Sequence, residues 1–266
     1  MKEKNIVGPR KGSLFLFGIS FLSLFLELLL IRWIGVELRI FAYFRNLTLI
    51  SCFLGLGIGF NLKRFRVGLL FSLFLILILA VAIHPGVALH GVSLRQIQDY
   101  LSFPEYNIWY TPDQTALLKM VAGYTLLASV VILLAGVFVP FGQILGDIFA
   151  VSENRIRDYS INLLGSLCGT WAFSLLSYRD APPWIWFLIC AGCMTILIRP
   201  WPRGTIIGVG AVMAILFLTQ ERDAPGYKTF WSPYQKLQLW EVINKEYGVP
   251  YFILNINSIL NRATNT

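Results

Sequence analysis

Residues 13–35, SLFLFGISFLSLFLELLLIRWIG, hold two charged side chains, Glu27 and Arg32, in an otherwise apolar run. About 20 mostly apolar residues in a helix cross the hydrocarbon of a bilayer. The run exceeds the apolar part of a cleavable leader, about 7–15 residues, and no small-residue cleavage site follows it. It reads as a retained membrane helix. Further apolar runs lie at 43–61, 66–84, 117–141, 159–178, 183–199 and 204–220, the last two short and Gly-rich. The chain is 56% hydrophobic and 14% charged, whereas soluble domains carry about 25% charge. The expected fold class is an all-α integral membrane bundle of about seven transmembrane helices, residues 1–220. A short C-terminal β-hairpin is expected in the tail, residues 221–266.

The charge pattern orients this bundle. The 22 Lys and Arg outnumber 14 Asp and Glu, for a net charge of +8. With a cytoplasmic N-terminus, the inside segments hold Lys2, Lys4, Arg10, Lys11, Lys63, Arg64, Arg66, Arg155, Arg157, Arg199 and Arg203. The outside loops hold only Arg39, Arg45, Arg95 and Arg179. The bias of basic residues toward the cytoplasm favours this orientation, and seven crossings then leave the tail outside. Orientation and lipid headgroups account for the basic residues. The bilayer is the expected partner, and nucleic acid is not.

The loop 85–116 carries Tyr106, Trp109 and Tyr110. Its segment 92–103 has the apolar spacing of an interfacial helix. In the tail, an extended run at 235–243, a turn at Asn244–Gly248 and a strand at Tyr251–Asn257 read as a hairpin. A lone hairpin is only marginally stable in water, so it needs more sheet, a partner or the membrane domain.

Polar residues in apolar surroundings are the candidate sites. Glu27 sits among leucines, where a charge costs roughly 2.5–3.5 kcal/mol even on mild scales. Arg32, five residues on, is not its same-face partner. Glu27 is read either as an intramembrane ligand or proton site, or as half of an ion pair to another helix. Arg32, Glu37, Arg39, Arg45 and Asn46 interleave with Trp33, Phe41, Tyr43 and Phe44. They read as a pocket for an anionic or headgroup ligand, or as an interfacial belt. Asp158 and Asn162 share a helix face, and Asp158 suits a helix start.

Gly55, Gly57 and Gly59, and Gly165 with Gly169, offer small surfaces for internal helix packing. Cys52, Cys168, Cys190 and Cys193 lie in apolar segments and read as packing residues rather than disulfides or a redox pair. His84 and His90 have no nearby carboxylate to complete a metal site. No phosphate loop, dinucleotide fingerprint or hydrolase motif stands in a supporting context. No catalytic residue, metal or cofactor is expected.

Several stretches resemble the membrane-fused spermidine synthase-like proteins of bacteria. They are Leu26–Trp33, Glu37–Leu47, Phe53–Gly59, Pro140–Gly146, Tyr159–Ser166 and Trp231–Leu237. The resemblance implies a multi-pass protein of the bacterial cytoplasmic (inner) membrane. It implies polyamine aminopropyl transfer in the family, with Gln235 at the position that contacts the nucleotide substrate. The sequence departs from the family after the hairpin. Asn257-Ser258-Ile259-Leu260 stands where a second Tyr-Gln would be, and the family's Gly-rich loop, acidic ribose partner and catalytic Asp are absent. The expected function is a non-catalytic membrane subunit or scaffold of a larger complex, with protein partner subunits covering the hairpin. The alternatives are the membrane-anchoring half of a split or truncated aminopropyltransferase-like enzyme, or a small-molecule transporter using Glu27 and the Arg32–Arg45 cluster.

Overall fold

The computed structural model describes residues 9–62, 65–84, 94, 97, 116–198, 202–219, 227–232, 236–243, 250–256 and 259–261. Among them the chain is mostly helical, with one small sheet. The helices are α1 (Pro9–Glu37), α2 (Arg39–Tyr43), α3 (Arg45–Asn61), α4 (Leu69–Ile83), α5 (Ala116–Val151), α6 (Arg155–Tyr178), α7 (Pro183–Ile198) and α8 (Pro202–Thr219). Two of them contain stretches long and apolar enough to cross a membrane, Gly12–Glu37 and Leu117–Val151. Shorter apolar helices cover Leu69–Ile83, Pro183–Leu197 and Gly208–Thr219.

Local chemistry sets the ends. Proline at Pro9, Pro183 and Pro202 presets the backbone angle of a first helical turn. The Asn154 side chain caps α6 by accepting from the Arg157 N–H at 3.1 Å. Leu38 and Phe44 leave helical geometry on either side of the one-turn α2. Asp180 takes a positive φ of 52° between α6 and α7. The apolar run at 117–141 extends further than expected. Helix α5 continues through Pro140 to Val151. Proline removes a single N–H, and eleven more residues continue the helix beyond it.

Glycines bring helix backbones together. A Cβ on Gly55 would lie 2.0 Å from the Ala135 carbonyl oxygen, and one on Gly59 would lie 2.1 Å from that of Val139. From the other side, a Cβ on Gly142 would lie 2.2 Å from the Leu56 carbonyl oxygen. Residue numbers rise together along this contact, so α3 and α5 run parallel. Gly165 and Gly169 sit in the same way against Phe17 and Phe21, at 2.6 and 2.3 Å from their carbonyl oxygens. Thus α1 and α6 also run parallel. These stripes serve packing within the chain.

On α3 the usual order of burial is reversed. Thr48, Ser51, Cys52, Gly55 and Gly59 are buried, whereas Phe53, Leu54, Ile58 and Phe60 are exposed. On α6, Gly165 and Gly169 are buried while Leu163, Leu164, Leu167 and Trp171 are exposed. A core of large apolar side chains nevertheless runs along α1, from Leu16 to Val36, with Phe138, Phe141, Trp186 and Phe187.

Gln143 on α5 holds the segment between α3 and α4. Its Oε1 accepts from the Val67 N–H at 2.8 Å. Its Nε2 donates to the carbonyls of Leu62 and Phe65 at 3.0 and 2.5 Å. Gln143→Leu is expected to strand these backbone groups and lower stability by about 2–4 kcal/mol. Gln143→Glu, which keeps the bond from Val67, should fall between. Thermal melts in detergent check both.

The tail is larger than a hairpin. Strands β1 (Tyr227–Trp231), β2 (Lys236–Ile243), β3 (Pro250–Ile256) and β4 (Ile259–Asn261) form an antiparallel sheet in the order β1-β2-β3-β4. Phe230 pairs with Leu237, Leu239 with Leu254 and Ile256 with Ile259. The two expected strands are the central pair. The correction comes from the outer strands, whose backbone groups satisfy their outward edges. The turn at 244–248 lies outside the described residues. So does the interfacial helix at 92–103, except Leu94 and Ile97, which pack on the core.

Candidate functional site

Glu27, Arg32 and Glu37 follow one another on α1 at five-residue steps. Each step turns about 140° around a helix, so the three side chains face different neighbours. Glu27 is buried, 2% exposed, and Cys52 of α3 lies within its electrostatic reach. Ser23 stands one turn before it. Among the described residues Glu27 Oε2, Ser23 Oγ and Thr48 Oγ1 have no hydrogen-bond partner. The expected ion pair to another helix is not found among those residues.

Arg32 turns toward α7 and the sheet. Its Cζ lies 4.6 Å from the centroid of the Trp186 ring and 6.0 Å from that of Trp231. Its Nη2 donates to the Ser232 carbonyl at 2.5 Å. The carboxylate of Asp180 acts on it electrostatically. A desolvated guanidinium over an indole face is worth about 2 kcal/mol, which offsets part of its burial. Glu37, 9% exposed, faces Lys236, 5% exposed, with Oε1 and Nζ 3.7 Å apart. The Lys236 ammonium also stands 5.5 Å from the Trp231 ring centroid.

Aromatic rings carry this contact into the bundle. Phe25 meets Phe173 edge to face at 5.6 Å, Phe173 meets Trp186 at 5.5 Å, and Trp186 meets Trp231 at 5.4 Å. Edge-to-face pairs of this kind contribute about 0.5–1.5 kcal/mol beyond burial. The result is a buried joint that fastens β1 and β2 to the C-terminal end of α1. The bundle itself covers the start of the sheet, a role expected of a partner subunit.

The other candidates separate from this joint. Arg45 and Asn46 are exposed at the start of α3. The Arg39 side chain, His90 and Gln235 lie outside the described residues. Asp158 accepts from the Ser152 hydroxyl at 2.7 Å, and Ser20 of α1 donates to Asn162 Oδ1 at 2.7 Å. Asp158 and Asn162 thus serve the start of α6 and its seam with α1. The four cysteines are free, with Cys52 and Cys190 buried. Among the described residues no group of three or more His, Cys, Asp or Glu is placed to hold a metal ion.

No family model, curated protein or solved structure matches this chain. The resemblance to spermidine synthase-like proteins rests on the quoted stretches themselves. The structure gives several of those stretches a packing role. Gly55 and Gly59 meet α5, Gly142 meets α3, Gly165 meets α1, and Trp231 and Lys236 meet α1 and α7. Trp186 and Gln143 were not singled out in the sequence as functional residues. In sequence Trp186 is flanked only by apolar residues, Trp184, Ile185, Phe187 and Leu188, and the bonds of Gln143 reach back about 80 residues.

Proposed function

We propose that this chain is a non-catalytic, multi-pass membrane subunit, a scaffold within a larger membrane complex of the bacterial inner membrane. Its ancestry in this reading is the spermidine synthase-like family. The observation that carries the proposal is the buried joint of Arg32, Glu37, Trp186, Trp231 and Lys236. The charged side chains nearest the sheet, Arg32, Glu37 and Lys236, hold the sheet on the bundle. A scaffold needs a rigid platform, and this joint supplies one.

The membrane reading has three supports. The outer faces of α3 and α6 are rich in large apolar side chains, while the buried positions of α3 are small or polar and those of α6 are Gly165, Gly169 and Phe173. Water would drive the opposite arrangement, whereas small residues at helix contacts suit a bilayer. The helices that would form the first and fifth crossings run parallel, as do those of the second and fourth. Alternating crossings require both. The tail docks at the C-terminal end of α1, which agrees with an odd number of crossings. With a cytoplasmic N-terminus the sheet then lies outside, away from the cytosolic substrates of aminopropyl transfer.

Purification under native conditions tests the subunit reading. The expected result is a complex with other membrane proteins at fixed stoichiometry, weighed by native mass spectrometry. A strictly monomeric protein overturns it. Labelling of Ser258→Cys by an impermeant maleimide from the outside checks the orientation, and labelling only from the cytoplasmic side overturns that part.

A further inference from the structure

We propose that the cleft between α1 and α6 holds the phosphate-bearing headgroup of an anionic phospholipid. The cleft measures about 480 Å³ and is lined by Arg32, Arg45, Ser174 and Tyr178, with Leu28 and Ile31 on its apolar side. Two arginines thus line it from separate helices, and among the described residues no carboxylate lines it. Guanidinium groups recognise phosphate with paired donors in a fixed fork. Arg45 is the first residue of α3, where the helix terminus adds partial positive charge. It is exposed and supplies the direct contact, while the Arg32 guanidinium, buried against Trp186 and bonded to the Ser232 carbonyl, adds positive charge behind the cleft wall.

The depth fits a headgroup. Arg32 precedes the end of α1 by five residues, about 7–8 Å of rise, and Leu28 lies one turn deeper. On the other side of Arg45 a second cleft of about 720 Å³ is lined by Ile50, Tyr124 and Leu127. Apolar walls below a cationic rim suit an acyl chain below a phosphate, and they offer nothing to a free inorganic ion. Exposed Tyr43, Phe44 and Tyr124 match the aromatic belt of the interface. The inference rests on the membrane reading. A chain extracted only by detergent but without lipid preference would keep that reading and sink this one.

The test uses the full chain in nanodiscs of phosphatidylglycerol and phosphatidylcholine, followed by detergent exchange and native mass spectrometry. Phosphatidylglycerol should be retained in preference, and Arg45→Ala should weaken retention about fivefold. Arg66→Ala, an exposed cation paired with Asp147, should leave retention unchanged. Equal retention of the two lipids overturns the proposal. So does unchanged retention in Arg45→Ala, or equal loss in Arg66→Ala. Displacement of the lipid by millimolar inorganic phosphate also overturns it, in favour of a free-anion site.

Discussion

Gly59→Leu is expected to destroy the native packing of α3 on α5, with loss of monodisperse protein in detergent. The milder Gly59→Ala should lower stability by about 3 kcal/mol, at the upper end of overpacking costs. In a thermal melt this corresponds to roughly 6–12 °C for a chain of this size. The cause is what a Cβ would meet. Its nearest neighbours are the carbonyl oxygen and carbon of Val139 and the N of Gln143, at 2.1, 2.9 and 3.0 Å. All are backbone atoms, so no side-chain rotation makes room and the helix axes must separate.

Separation would also disturb Gln143, whose amide holds Leu62, Phe65 and Val67. The control is on the same helix. Gly57 has nothing within 4 Å of its Cβ position, so Gly57→Ala should be neutral or stabilise by up to about 1 kcal/mol through helix propensity. A similar loss in both variants would mean that glycine matters here for backbone freedom rather than close approach. Gly142→Ala combined with Gly59→Ala should cost less than the sum. Once the helices part for one methyl, the second finds space already made.

The helical skeleton was legible because the apolar runs are long and the breakers sit at their ends. The runs at 43–61, 183–199 and 204–220 match α3, α7 and α8 to within two residues. The apolar run ends at 141 while α5 continues to Val151, because Gly142, Gln143, Gly146 and Asp147 interrupt the apolar pattern in one dimension. In three dimensions Gly142 is the place where α3 approaches. Strand β1 was hidden for another reason. Trp231 stands there as the start of the stretch that carries the family resemblance, and the pairing of Thr229, Phe230 and Trp231 to β2 needs a partner strand to be recognised.

The candidate site was legible in part. Glu27, Arg32 and Glu37 stand out in the sequence as charges in apolar surroundings, and the structure places Glu27 and Glu37 buried and Arg32 half-buried on α1. Grouping Arg32 and Glu37 with Arg45 and Asn46 followed sequence proximity. Arg32 and Arg45 do share a cleft, yet the direct partners of Arg32 and Glu37 are Ser232 and Lys236, about 200 residues away. No helical or strand periodicity reaches that far. The same long reach turns the Trp231–Leu237 stretch from a sign of chemistry into the foot of the sheet.

Trp231→Ala should therefore release the tail while leaving the bundle folded. Trp231 is 9% exposed and sits between the Trp186 ring, the Arg32 guanidinium and the Lys236 ammonium. Truncating a buried Trp costs about 3–5 kcal/mol, and here the loss falls on one interface rather than on the whole core. Opening of the sheet should become more frequent by roughly a hundredfold to a few thousandfold. Tryptic cleavage at Lys228, within β1, in detergent reports that opening, and the expected product is an intact helical fragment. Glu37→Gln should act in the same direction, because it leaves the Lys236 ammonium without its buried carboxylate. Trp231→Phe, which keeps an aromatic face for the two cations, should restore most of the protection. If Trp231→Ala instead unfolds the helices together with the sheet, the two parts are one cooperative unit and the tail is no separable platform. If cleavage is unchanged, β1 and β2 are held by contacts other than this joint, and the scaffold reading loses its main support.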